Sequence, residues 1–172
     1  CNMVLNQLAR KMNLEYDKDG LIAKKGSIND SLFNQLNSLD YYKQNGPKSL
    51  GKEWFLEYFR PLIDGSLSTE DYLRTSVEHI ATQIAIVIKE NNIKSILITG
   101  GGALNKFLIE RLEQMVQSKC KIVIPDSQLI SYKEAIVFAL LGYLRLTKQT
   151  NTLASLTGAK VDSIGGTISG LY

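Results

Sequence analysis

One short stretch of the chain has the make-up of a ligand cradle. Ile96-Leu97-Ile98-Thr99 is an apolar run, Gly100-Gly101-Gly102 follows it directly, and Ala103-Leu104-Asn105 leads into a helical pattern. Glycine lacks a Cβ, so the backbone takes unusual dihedrals and a ligand can approach it closely. The start of a helix adds free N–H groups and a partial positive charge. This suits a nucleotide in either of two poses: phosphate against the N–H groups, or sugar and base lying flat on the glycines. A tight strand-to-helix turn needs one glycine. Three in a row, at the strand end where open α/β sheets bind ligands, point to a ligand. The candidate nucleotide contacts are Gly100, Gly101, Gly102, Ala103 and Asn105. A P-loop would end in Gly-Lys-Ser/Thr, whereas Leu104-Asn105-Lys106-Phe107 stands there. A dinucleotide fingerprint needs a sixth-position glycine, and that position is Asn105. Asp126, after the next apolar run, stands where that fold carries its ribose-binding acid. A Rossmann-type NAD-binding domain therefore remains an alternative.

Other residues carry weaker chemistry. Glu134 is a carboxylate candidate at the start of a helical pattern, but Ser131-x-x-Glu134 is equally a capping box. Lys48 lies in the break Asn45-Gly46-Pro47-Lys48-Ser49, where it either approaches a phosphate or is solvated. His79, the only histidine, sits beside an apolar helical stripe with no ligand-spaced Cys, Asp or His, so no metal site is expected. Cys120, Trp54, Phe55, Tyr58 and Phe59 read as packing residues, and Tyr41-Tyr42 as an apolar patch.

The elements that must position these groups follow from periodicity and caps. Met3–Asn13 predicts an amphipathic helix with Met3, Val4, Leu5, Leu8 and Met12 on its apolar face. Asp17-Lys18-Asp19-Gly20 predicts a turn, and Leu21–Lys24 a short strand or extended loop. Asn29 or Asp30 caps a short helix. Lys52–Phe59 predicts a helix stopped by Pro61. Ser68 caps a long helix whose apolar face includes Leu73, Val77, Ile80, Ala81, Ile84, Val87 and Ile88. Lys94–Thr99 and Lys121–Ile124 predict buried parallel strands. Between them lies a helix capped by Asn105. A further helix runs from Ser131 to about Leu146, and Val161–Ile164 predicts an edge strand. The alternation over residues 67–148 predicts an α/β core with parallel strands, preceded by a helical, irregular region (1–66) and followed by a tail (149–172).

Composition narrows the function classes. The chain has 172 residues, 44% of them hydrophobic and 22% charged, enough for a real core. A net charge of +3 without a basic block argues against nucleic acid. Two cysteines make no disulfide framework, which favours a reducing compartment and a cytoplasmic location. Apolar stretches such as Ala135–Leu141 are too short to span a bilayer. The first residue is Cys1, and helical spacing begins at once, as expected of a piece of a longer protein.

Four segments together resemble the anhydro-N-acetylmuramic acid kinases, a family of the sugar kinase, Hsp70 and actin superfamily. Thr99-Gly100-Gly101-Gly102-Ala103-Leu104-Asn105 is similar to the family's adenosine-side loop. Gly46-Pro47-Lys48-Ser49-Leu50-Gly51-Lys52-Glu53-Trp54-Phe55 is similar to its Pro-Lys-Ser-x-Gly-Arg/Lys-Glu-x-Phe motif. Lys133-Glu134-Ala135-Ile136-Val137-Phe138-Ala139 resembles its Glu-Ala-x-x-Phe-Ala helix start, and Asn151–Ala159, ending in Leu156-Thr157-Gly158-Ala159, its C-terminal Val-Thr-Gly-Ala segment. Cys1-Asn2 aligns with the end of its Asp-x-Gly-Pro-Gly-Asn segment, with Cys1 in place of the last Gly. The resemblance implies a ribonuclease-H-like α/β lobe with mostly parallel short strands and several helices, the C-terminal lobe of a two-lobed kinase. It implies ATP with Mg²⁺, and a sugar whose 1,6-anhydro ring is cleaved as it is phosphorylated in cell-wall recycling. Asn2, Lys48 and Glu134 fall on the substrate or phosphate side. The catalytic Asp falls before Cys1, so the chain alone is expected to be inactive. The implied partners are the small-molecule sugar, ATP and the other lobe; a homodimer is admitted, nucleic acid and membrane are not. A non-catalytic nucleotide-binding module of the same fold is the remaining alternative.

Overall fold

The computed structural model describes residues 2–44 and 50–170. The chain is α/β: mostly helices, with one small parallel sheet of two strands among the described residues. It divides into two compact units, Cys1–Pro125 and Asp126–Tyr172.

The first unit is built around one long helix. Helix α1 (Asn2–Arg10) buries Val4, Leu5, Leu8 and Ala9, the i, i+1, i+4, i+5 stripe of an amphipathic helix. Met3 and Met12, expected on that face, are exposed, and the chain leaves the helix at Arg10 rather than Asn13. Residues 21–24 form no strand. Two 3₁₀ turns, Lys18–Gly20 and Ala23–Lys25, stand there instead. The cause is Asp17, whose buried carboxylate accepts the N–H groups of Ile22 (2.9 Å) and Ala23 (3.0 Å) and curls the chain back. Helix α2 (Asp30–Asn37) starts at Asn29, whose side chain accepts the Leu32 N–H. A single helical turn, α3 (Asp40–Lys43), follows.

Pro61 does not stop the next helix. Helix α4 (Lys52–Trp54) widens into a π-turn over Phe55–Phe59 and then tightens into a 3₁₀ turn, Arg60–Ile63, with Pro61 in its first turn. Proline has no N–H to give an α-helical ladder, yet its fixed φ suits the opening of a helical turn, so the chain changes pitch around it. The wide turn sets Phe55 and Phe59 on one side, both buried, with ring centres 6.0 Å apart.

Helix α5 (Thr69–Glu90) begins where Ser68 accepts the Asp71 N–H at 3.1 Å. It packs against α1, α2 and α6 (Lys106–Val116). Leu8, Leu36, Leu73 and Leu112 are fully buried around it, each contributing roughly 2 kcal/mol of burial. Val87, expected on the buried face, is exposed. Glu78 of α5, itself buried, ties α6 by a two-pronged pair with Arg111 (2.7 and 2.8 Å). The strands β1 (Ser95–Leu97) and β2 (Lys121–Val123) are parallel, with Ile96 opposite Ile122. They are shorter than expected and not fully buried, and Leu97 is 60% exposed. Period-2 apolarity reports which face can be buried; covering both faces takes neighbouring layers.

In the second unit, helix α7 (Ser127–Leu146) is followed by a single turn, α8 (Ala154–Thr157), closed by Gly158 in the left-handed region. The Ser131–Glu134 capping box is not used. The helix starts four residues earlier, where Asp126 accepts the Leu129 N–H at 2.8 Å. Asp126 directly follows Pro125, and Ser127–Ile130 continue the helical pattern without a break, so Ser131 and Glu134 lie inside the helix, where no N–H needs capping. The expected edge strand at residues 161–164 reduces to one antiparallel bridge, Thr152 to Ser163. Among the described residues no helix is long and apolar enough to cross a membrane.

Candidate functional site

The glycines after β1 do not run straight into α6. They form a 3₁₀ turn, Gly101–Leu104, entered through Gly100 at φ +75°. Inside it the Ala103 N–H donates to Gly100 O and the Asn105 N–H to Gly102 O. Asn105, buried, then caps α6: its Oδ1 accepts the Leu108 N–H at 3.0 Å. The Ala103 and Asn105 N–H groups are thus spent within the turn, and the Leu108 N–H at the start of α6 on its cap.

The three glycines meet different demands. Gly100 faces open space but has a backbone that side-chain-bearing residues rarely adopt. A Cβ on Gly101 would collide with the Asn2 carboxamide. A Cβ on Gly102 would find only Asn2 Oδ1, at an ordinary 3.5 Å, and the φ there is unexceptional. The fold therefore accounts for Gly100 and Gly101, and does not require a glycine at Gly102.

A cavity of about 490 Å³ opens beside this turn, within the usual size for small-molecule sites. Gly101, Leu104 and Asn105 form one wall, the start of α1 (Asn2, Leu5, Asn6) a second, and the Tyr16–Asp19 loop the third. That loop is held at three points. Asp17 accepts the backbone N–H groups of Ile22 and Ala23. Gly20, at φ +73°, lies so close to α6 that a Cβ would collide with Asn105 Oδ1 and Phe107 Cβ. Lys106 reaches Asp19 at 3.4 Å. A second, mostly apolar cavity of about 260 Å³ adjoins Asn2, Thr99, Gly101 and Gly102.

Of the residues singled out from sequence, Asn2, Gly101, Gly102 and Asn105 meet around these cavities. Gly100 shapes the turn without lining either, and Ala103 is buried and lines neither. Lys48 lies outside the described residues. Glu134 is exposed on α7, in the second unit. Sequence reasoning missed Asn6, Tyr16, Asp17, Lys18 and Asp19 as wall residues. Their signal was present as a charged turn ending in glycine, some 85 positions before the glycine loop.

His79 occupies a different environment. Its Nδ1 lies 2.8 Å from Asn37 Oδ1 and its Nε2 2.9 Å from the Tyr42 hydroxyl. Asn37 Nδ2 donates to Phe33 O and Gln83 Nε2 donates to Asn37 Oδ1, so that oxygen is an acceptor and His79 carries its proton on Nδ1. Nε2 then accepts from Tyr42. Burial pushes the imidazole down to about 4 and the Tyr42 phenol, helped by the nearby Tyr41, up to about 12.

A family model described as anhydro-N-acetylmuramic acid kinase matches residues 1–170. The chain is 34% identical over 158 residues to an anhydro-N-acetylmuramic acid kinase of Vibrio vulnificus (strain CMCP6), covering 87% of this chain and 42% of that protein. It is 33% identical over 177 residues to the protein of the same description from Francisella tularensis subsp. novicida (strain U112), covering 98% and 46%. To that of Bacillus cereus (strain B4264) it is 31% identical over 183 residues, covering 98% and 46%. The chain thus spans a little under half the length of these curated relatives.

Proposed function

The chain belongs to the anhydro-N-acetylmuramic acid kinase family, and on that premise we propose that it is the nucleotide-binding lobe of a two-lobed sugar kinase, ribonuclease-H-like in fold, with residues 67–148 as its α/β core. One observation carries the reading: the 490 Å³ cavity has Gly101 and Asn105 in its wall and a neighbouring glycine, Gly102, whose missing Cβ the fold does not require. Kinase chemistry makes ATP the phosphoryl donor. The adenosine end belongs in this cavity, because the turn has spent N–H groups that a phosphate would use and Asp17 and Asp19 repel a polyphosphate.

The remaining machinery lies, in this reading, in the part of the relatives' length that the chain does not match. The Asp of the Asp-x-Gly-Pro-Gly-Asn segment is the proposed base and is not among these 172 residues. It takes a proton from water attacking the anomeric carbon. The 1,6-anhydro bond breaks, and the bridging oxygen so released takes the γ-phosphoryl group of ATP. The products are N-acetylmuramic acid 6-phosphate and ADP, within cell-wall recycling. Asn2, Lys48 and Glu134 are assigned to the sugar and phosphate side. Mg²⁺ is assigned to the phosphates of ATP, and no step is routed through a protein ligand.

Calorimetric titration of the chain with ATP tests the reading; the expected result is saturable one-site binding, and none at millimolar ATP overturns it. Extended to the relatives' length, the protein should convert the anhydro sugar to its 6-phosphate, while the 172-residue chain alone stays at background. In the extended protein Glu134→Gln should slow turnover by about 10²-fold without moving the melting temperature, since Glu134 caps nothing. Full activity of that variant removes Glu134 from the site.

A further inference from the structure

We propose that Asp19 recognises the ribose of the bound nucleotide, its carboxylate accepting hydrogen bonds from the 2′- and 3′-hydroxyls, so that the cavity selects ribonucleotides over their deoxy forms. This rests on the nucleotide reading above and adds to it a specificity-determining residue.

Two carboxylates, Asp17 and Asp19, and the amide oxygens of Asn2, Asn6 and Asn105 line the cavity, and of these only a carboxylate presents two acceptor oxygens side by side. Asp17 is 6% exposed and gives one oxygen to the Ile22 N–H and the other to the Ala23 N–H. Asn105 gives its Oδ1 to the Leu108 N–H. Both are committed to holding the walls. Asp19 makes a single ion pair, Oδ1 to Lys106 Nζ at 3.4 Å, and that lysine's side chain is 80% exposed. Such a pair is weak and screened by solvent. Asp19 is therefore the cavity's uncommitted carboxylate.

Its position is fixed before any ligand arrives. Asp19 has a left-handed backbone (φ +58°) and sits between Asp17, anchored by two accepted N–H groups, and Gly20, pressed against Asn105 and Phe107. A pre-positioned acceptor loses little entropy on binding. The partner follows from the chemistry. A carboxylate accepts only, through two oxygens side by side. A vicinal diol offers two donors side by side and no negative charge. A phosphate offers the wrong sign. The exposed faces of Tyr16 and Leu104, with Gly101 beside them, supply the flat apolar surface that a base needs.

The test is calorimetry of the chain with ATP, 2′-deoxyATP and 2′,3′-dideoxyATP. Two variants keep the backbone compatible with positive φ: Asp19→Asn, and Asp19→Gly, which removes the side chain altogether. Lys106→Ala serves as the control for a merely structural ion pair. The wild type should bind ATP at least tenfold more tightly than the dideoxy form. Asp19→Gly should weaken ATP at least tenfold and the dideoxy form less than twofold, abolishing the preference. Asp19→Asn should fall between, and Lys106→Ala should keep the preference. Equal loss of ATP and dideoxyATP in Asp19→Gly, or no preference in the wild type, overturns the proposal while leaving nucleotide binding intact. No binding of any of the three to the wild type overturns the nucleotide reading, and this inference with it.

Discussion

The His79 cluster and the cavity beside the glycine loop both gather polar side chains in the first unit, and they do so in opposite ways. Around His79 every polar contact closes on the chain: Asn37 is shared between His79 and Gln83, and Tyr42 donates to the ring. Around the cavity, Asp17 and Asn105 are likewise closed on backbone N–H groups, but Asp19 and the Asn2 carboxamide face an opening. A buried polar group must be satisfied to be tolerated. A closed cluster is satisfied by packing alone, whereas an open one leaves acceptors for whatever enters from outside. The same division runs through the glycines: Gly20 and Gly101 make room for this chain's own side chains, while Gly102 makes room for none.

The comparison breaks first at Gly20. Gly20→Ala puts a Cβ into Asn105 and Phe107 at a positive φ, and should cost about 3 kcal/mol or more. It should also weaken ATP binding, because the wall and the α6 cap move together. Urea unfolding checks this, and a change below about 1 kcal/mol would show that the wall is not pinned there. Next is Gly100→Ala, strained by φ alone in open space, with an expected loss of about 1–2 kcal/mol; an unchanged midpoint would mean that the turn can adopt another entry.

The closed cluster gives a pH-dependent test. The His79 imidazole lies at about 4 in the folded protein, against about 6.5 unfolded, so the unfolded chain binds the extra proton. Its contribution to stability is complete above pH 6.5 and is lost as pH falls from there to about 4. Between pH 7.5 and 5.5 the wild type should lose about 1 kcal/mol more than His79→Gln, measured by urea unfolding of both. Parallel pH dependence of the two would reopen the cluster as something other than packing. The smallest stability effect is expected at Gly102. Gly102→Ala should leave stability within about 0.5 kcal/mol and weaken ATP at least tenfold. Unchanged ATP affinity there would make the glycine loop a packing turn.

Part of this was legible without coordinates. Caps are local, so Ser68 and Asn105 are legible as side chains that accept an N–H three residues on, while the choice between Asn29 and Asp30 falls to Asn29 only in the structure. The parallel pairing of the two apolar runs was legible for the same reason that βαβ units are: the intervening helix forces it. The misreadings came where a local pattern has two equally good solutions. Ser131-x-x-Glu134 looks like a capping box, but Asp126 five residues earlier offers a cap and an unbroken helical continuation. Pro61 looks like a stop, but a change of pitch absorbs it. Leu21–Lys24 has strand-like residues, but a single buried carboxylate at Asp17 curls it into a turn.

Sequence alone determined the capped starts of α5 and α6, the glycine loop and the kinase family resemblance, because caps, dihedral freedom and motif spacing are properties of neighbouring residues. Only the tertiary structure decided that Asn2 lies over Gly101, that Asp19 faces the same cavity some 80 residues from the glycines, and that His79 is closed while Asp19 is open. Those facts depend on which polar groups find partners after the helices pack, and a hydrogen bond spent across the fold leaves no trace in the local order of residues.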